Sequence, residues 1–132
     1  MANGSGNRLQ IIIVDDDDFL VNMYAAKFGN EGISVEVCKL GEAFLEMLRS
    51  GATADLVLLD IVMPGKDGLT VLKEMREQNL GQEIPVVVLT NQGDKENINA
   101  AKKLGIAGYI VKSAVAPSEV VEEVKRIIKK RK

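Results

Sequence analysis

Four consecutive aspartates, Asp15 to Asp18, follow directly on the apolar run Leu9-Gln10-Ile11-Ile12-Ile13-Val14. Carboxylates crowded at the end of a buried segment raise one another's pKa, and a hard divalent cation such as Mg²⁺ removes that conflict. A second apolar run, Leu56-Val57-Leu58-Leu59, ends on Asp60; a third ends on Thr90; a fourth is followed by Lys112. These residue types suit one reaction. Asp60 is a candidate nucleophile that forms an aspartyl phosphate. Asp15 and Asp16 are candidates to hold Mg²⁺ against phosphoryl oxygens. Lys112 adds a second positive charge, and Thr90 a hydroxyl donor. Taken singly, each has a plainer reading: Asp17 and Asp18 suit the N-cap and first turn of a helix, and Asp60 or Thr90 would simply end a strand. The coincidence of the positions is what points to a site.

The segments that carry these residues alternate in type. Strand-length segments rich in apolar and β-branched residues fall at 9–14, 33–37, 56–59, 85–89 and 108–111, and the central ones are unbroken apolar runs, as expected for a parallel sheet covered on both faces. Helical patterns fill the gaps: about 17–28, where Leu20, Tyr24 and Phe28 recur at i, i+4 and i+8; then about 42–49, 68–78 and 95–104. A last helix begins at Pro117, the favoured first helical position, with Val120, Val121, Val124, Ile127 and Ile128 on one face. Five βα repeats with short links predict a doubly wound α/β domain with right-handed crossovers. The C-terminal ends of parallel strands share one edge, where such folds place their ligands. Asp15, Asp16, Asp60, Thr90 and Lys112 therefore converge there.

Composition removes several classes. The 132 residues contain no histidine, so His-based metal sites, triads and general bases are excluded. Cys38 is the single cysteine, which rules out an internal disulfide and fits a reducing cytoplasm; its place at the end of Ser34-Val35-Glu36-Val37-Cys38 reads as a small buried residue. No apolar stretch approaches the roughly 20 residues of a membrane span. Residues 1–7 have no apolar core and read as a flexible leader, leaving one domain at 8–132. The net charge is −2, with six cations in the last eight residues. That basic end complements a helix dipole, and it lacks the aromatic support of a nucleic-acid patch. Neither a membrane nor direct nucleic-acid binding is expected.

Ile13-Val14-Asp15-Asp16, Leu58-Leu59-Asp60-Ile61-Val62-Met63-Pro64-Gly65-Lys66-Asp67-Gly68, Val88-Leu89-Thr90 and Gly108-Tyr109-Ile110-Val111-Lys112 resemble, in order and spacing, the receiver domain of bacterial two-component response regulators. The resemblance runs from about Leu9 to Ile128. It implies a flavodoxin-like five-stranded parallel sheet of order 2-1-3-4-5. It implies that Asp60 accepts a phosphoryl group from a phosphohistidine on a sensor histidine kinase or histidine phosphotransfer protein, and that the chain catalyses only its own phosphorylation and dephosphorylation. Mg²⁺ would be held by Asp16 and Asp60 directly, by Asp15 mostly through water, and by the backbone carbonyl of Val62. Thr90 and Tyr109 match the family's switch pair, which acts on the face formed by the fourth helix, fifth strand and fifth helix. An output partner or effector domain, or a phosphorylation-dependent homodimer, would follow.

Two positions depart from the family pattern. Lys112 precedes Ser113 where proline is usual, and Asn91 replaces a small residue after Thr90, where it would either contact the phosphoryl group or crowd its entrance. Without proline, a trans Lys112–Ser113 bond is expected. Val62 and Gln92 occupy positions that tune dephosphorylation, and an apolar Val62 argues against fast hydrolysis. Three other functions compete. A haloacid-dehalogenase-like phosphatase would use Asp15 of Asp15-Asp16-Asp17, but Asp18-Phe19 follows instead of Gly-Thr, and no cap domain fits the length. A flavin or nucleotide binder would need a Gly/Ser/Thr-rich loop where the four acids stand. The third is a receiver-like scaffold that signals without phosphorylation.

Overall fold

Five short strands form one parallel sheet in the order β2-β1-β3-β4-β5, as expected. They are β1 (Gln10–Val14), β2 (Ser34–Cys38), β3 (Leu56–Asp60), β4 (Val86–Thr90) and β5 (Gly108–Val111). The intervening helices are α1 (Asp18–Asn30), α2 (Gly41–Arg49), α3 (Gly68–Glu77), α4 (Lys95–Leu104) and α5 (Pro117–Arg131). The structure, a computed structural model, describes residues 8–91 and 95–131; the expected leader at 1–7 and Gln92 lie outside them.

Alternation along each strand divides the core in two, because successive side chains point to opposite faces. Ile12, Val14, Val57, Leu59, Val86 and Val88 pack with Phe44, Leu45, Val71, Leu72, Met75 and Ala101, so α2, α3 and α4 cover one face. Ile11, Ile13, Leu56, Leu58, Val87 and Leu89 pack with Val21, Tyr24, Phe28, Val120, Val124 and Ile128, so α1 and α5 cover the other. Strands β3 and β4 are buried at every residue, which is why they read as unbroken apolar runs. No helix among the described residues is long and apolar enough to cross a membrane.

The helix ends position the loops at the C-terminal edge of the sheet. Asp17 is the N-cap of α1, its carboxylate accepting from the Leu20 amide at 3.1 Å. Asp67 caps α3 the same way, accepting from the Thr70 amide at 2.8 Å. At α5, Ala116 precedes Pro117, and the Glu119 carboxylate reaches back to the Ala116 amide at 2.9 Å, half of a capping box. Helix α1 extends through Gly29, past its expected end at 28. The left-handed residue that stops it is Gly32 (φ +77°), with Ile33 N–H donating to the Phe28 carbonyl at 3.0 Å and Gly32 N–H to the Gly29 carbonyl at 3.0 Å. Burial of both Ile33 and Phe28 completes that Schellman closure.

Candidate functional site

Strand registers bring the expected groups together. Val14 pairs with Leu59 across β1 and β3, so Asp15 and Asp60 emerge side by side. Leu89 pairs with Asp60, and Thr90 with Val111, which places Thr90 and Lys112 on the next two strands along the same edge. Carboxylate oxygens of Asp15, Asp16 and Asp60 lie within 4.8 Å of one another. Asp15 and Asp60 are buried, Asp16 is exposed, and Thr90 is buried. The Lys112 ammonium spans the buried pair, 2.8 Å from Asp15 Oδ2 and 3.4 Å from Asp60 Oδ1.

The donor set is oxygen only, three carboxylates with one facing solvent, which suits a hard cation such as Mg²⁺ and offers nothing to soft metals. One ammonium among three acids leaves excess negative charge. Asp60 registers it: burial first, then the Asp15 charge, push its pKa from 3.8 up to about 6, while Lys112 and the Val62 amide, 3.3 Å from Oδ1, pull it back. At Lys112 burial works against the charge, but Asp15 and Asp60 outweigh it and hold the ammonium above its usual range.

The Asp60 shift has a consequence for stability. Between about pH 4 and 6 the folded chain retains a proton that the unfolded chain has released, so stability falls as pH rises through that window. In metal-free buffer, Asp60→Asn is expected to gain on the parent chain from pH 4 to pH 7, by on the order of 2 kcal/mol. Denaturant unfolding at both pH values checks this; a constant difference between the two chains would contradict it.

The loop after β3 is fixed from outside. Gly68 N–H donates to the Ile61 carbonyl at 2.8 Å, drawing the start of α3 against the strand end. Lys66 pairs with Glu42 at 2.8 Å and Glu74 at 2.6 Å, clamping the loop to α2 and α3. These contacts place Val62 two residues beyond Asp60, with its side chain 60% exposed. Asn91 is exposed immediately after β4, and its backbone carbonyl accepts from the Ser113 hydroxyl at 3.1 Å. No cis peptide occurs among the described residues, so the Lys112–Ser113 bond is trans, as expected. Tyr109 is half-exposed, with the Lys102 ammonium 5.3 Å from its ring centroid.

Three features escaped the sequence reading. Tyr24, read only as a position in an apolar stripe, is fully buried; burial pushes its phenol up, Lys112 opposes that, and Asp15 adds to it, so its hydroxyl belongs to the site's electrostatic surroundings. Phe19, Leu40 and Val62 are exposed apolar side chains, each on a loop or first turn at the acidic edge, and Lys39 and Asp18 form an ion pair between the first two of those loops. Arg76 of α3 donates to the carbonyls of Leu104 at 2.9 Å and Gly105 at 2.6 Å, tying down the C-terminal end of α4. Exposed apolar residues next to a charged cluster were visible as types; the two tertiary contacts had no signal in the sequence.

A family model described as the response regulator receiver domain matches residues 11–125. Among curated relatives, the transcriptional regulatory protein AruR of Pseudomonas aeruginosa is 32% identical over 126 residues, covering 92% of this chain and 50% of that protein. The chemotaxis protein CheY of Halobacterium salinarum is 33% identical over 109 residues, covering 83% of this chain and 88% of that one. Among solved structures, the receiver domain of a Francisella response regulator superposes with a TM-score of 0.83 at 27% identity, covering 95% of this chain and 100% of that one. The chain thus spans about half the length of AruR and most of the length of CheY.

Proposed function

Because the chain belongs to the response regulator receiver domain family, phosphoacceptors of two-component signalling, we propose that Asp60 is the residue phosphorylated here and that Asp15 and Asp16 hold Mg²⁺ beside it. The observation that carries this reading is the Lys112 ammonium lying within 3.4 Å of both Asp15 and Asp60 carboxylates inside one buried acidic cluster. A buried carboxylate with a raised pKa, flanked by a fixed cation and two further acids, is a nucleophile waiting for one more positive charge.

An Asp60 oxygen forms the new P–O bond as the P–N bond of a donor phosphohistidine breaks, and the imidazole leaves with the electron pair. Mg²⁺, when bound, supplies charge to the phosphoryl oxygens and lowers the Asp60 pKa into the ionised range. The Val62 carbonyl would be a further oxygen ligand for the ion. Lys112 exchanges its contact with Asp15 for a phosphoryl oxygen, Thr90 donates its hydroxyl to another, and Asn91 stands at the entrance. The exposed Phe19, Leu40 and Val62 are an apolar rim on which a histidine kinase or histidine phosphotransfer protein seats its phosphohistidine.

On the output side, Thr90 moving toward the phosphoryl group lets Tyr109 leave its position beneath Lys102 and turn inward. This changes the face of α4, β5 and α5, where Tyr109, Val111, Val115, Glu122, Arg126 and Lys129 line a groove. That face is the reading surface for a partner, for an effector domain in a longer protein, or for a second copy of the chain, in the cytoplasm.

Mg²⁺ titration tests the site. At a concentration about 100-fold above Kd, binding contributes about 2.7 kcal/mol, which raises Tm by roughly 5–10 °C. Asp16→Ala is expected to lose most of that increment and all metal-dependent labelling by acetyl phosphate. A Tm indifferent to Mg²⁺ in the parent chain would contradict the metal assignment.

A further inference from the structure

Asn91 and Ser113, the two positions at which the sequence leaves the usual receiver pattern, meet in the structure. The Ser113 hydroxyl donates to the Asn91 carbonyl at 3.1 Å. This bond lies one step past the β4–β5 ladder, whose last register pair is Thr90 with Val111, and whose last backbone bond runs from Lys112 N–H to the Thr90 carbonyl at 2.8 Å. Each partner directly follows a residue at the acidic edge: Thr90, buried at the end of β4, and Lys112, whose ammonium contacts Asp15 and Asp60. Beyond the Ser113 contact the second loop turns away, with Ala114 N–H closing onto Val111 at 3.0 Å.

We propose that Ser113 is a positioning residue for phosphoryl transfer: its hydroxyl, by holding the Asn91 carbonyl, fixes the span between the Lys112 ammonium and the Thr90 hydroxyl that grip the phosphoryl group. This rests on the reading of Asp60 as acceptor. Proline at 113 would have no donor to make the bond, so a chain with proline there holds this loop by its ring alone. Here backbone bonds from Lys112 and Ala114 hold the loop on either side of Ser113, and the hydroxyl adds the one tie that runs from this loop to Asn91 beyond the end of the ladder. Ser113 is exposed, so its truncation orphans no buried group, and the consequence falls on the geometry of Lys112 and Thr90. The metal ligands Asp15, Asp16, Asp60 and Val62 lie on other loops.

The test compares the parent chain, Ser113→Ala and Ser113→Thr for the rate of labelling by acetyl phosphate at saturating Mg²⁺, for Mg²⁺ affinity by calorimetry, and for Tm. Ser113→Ala is expected to be labelled about five- to tenfold more slowly, with Mg²⁺ affinity and Tm unchanged, and Ser113→Thr is expected to restore the parent rate. Parental labelling of Ser113→Ala would overturn the proposal. So would a slowing matched by weaker Mg²⁺ binding or a lower Tm, which would mark a general loosening, or a failure of threonine to restore the rate. Failure of the Asp60 reading is distinguished in the parent alone, where the label would sit on another residue.

Discussion

Asp60→Asn is expected to take up no phosphoryl group from acetyl phosphate in the presence of Mg²⁺, although in metal-free buffer it gains stability on the parent as pH rises above 4. The carboxamide keeps the shape and the contact with the Val62 amide but has no anionic oxygen to attack phosphorus. It also removes one charge from a cluster in which Asp15 and Asp60 share a single ammonium. Activity and stability thus move in opposite directions, as at sites where charges are held together for chemistry rather than for the fold. Intact-mass measurement after incubation with donor reads the first effect. Labelling of Asp60→Asn at even a tenth of the parent extent would contradict it.

Gly68→Ala is expected to damage both fold and site. A Cβ at position 68 would stand 2.2 Å from the Asp60 carbonyl oxygen and 2.8 Å from Ile61 Cα. Both are backbone atoms of the strand end, so no flexible side chain yields, and either α3 or the Asp60 loop must shift. The modest gain in helix propensity does not offset this overpacking, and we expect a net loss of about 2–3 kcal/mol, a fall in Tm of roughly 10 °C. Because the shift falls on Asp60 itself, the labelling rate drops as well. Gly65→Ala is the control: Gly65 has a positive φ of +74° but open space around its Cβ position, so its cost is backbone strain alone, about 1 kcal/mol. Equal losses from the two substitutions, measured by thermal unfolding, would refute the close-approach argument.

The contrast between these glycines shows what the sequence made legible. Met63-Pro64-Gly65-Lys66-Asp67-Gly68 reads as a turn opening a helix, and it is one, with Asp67 as the cap. That Gly68 is required by contact with the Asp60 carbonyl depends on two elements meeting in space. The central strands β3 and β4 were legible because burial on both faces forces unbroken apolar runs, and the acidic edge because Asp60 and Thr90 sit at the ends of such runs. Helix ends were less so. Gly29 lies inside α1 because Gly32 is the residue in the left-handed conformation, whereas α3 ends at Glu77, within one residue of the expected 78, with Asn79 left-handed at φ 56° just beyond. Local composition offers several possible stops, and tertiary packing selects one. The Lys66 clamp, the Arg76 bonds to the end of α4 and the Ser113–Asn91 contact follow the same logic: their residue types were plain, and their partners lie 8 to 29 positions away in the chain.

The most direct test of the account is to locate the phosphoryl group chemically. The parent chain, incubated with acetyl phosphate and Mg²⁺, is reduced with borohydride, which converts an aspartyl phosphate to homoserine, and the position is read by peptide mass spectrometry. Homoserine at position 60, absent when Mg²⁺ is chelated, is the predicted result. Homoserine at Asp15 or Asp16, or labelling that survives removal of the metal, would contradict the assignment of Asp60 as acceptor and of its neighbours as metal ligands.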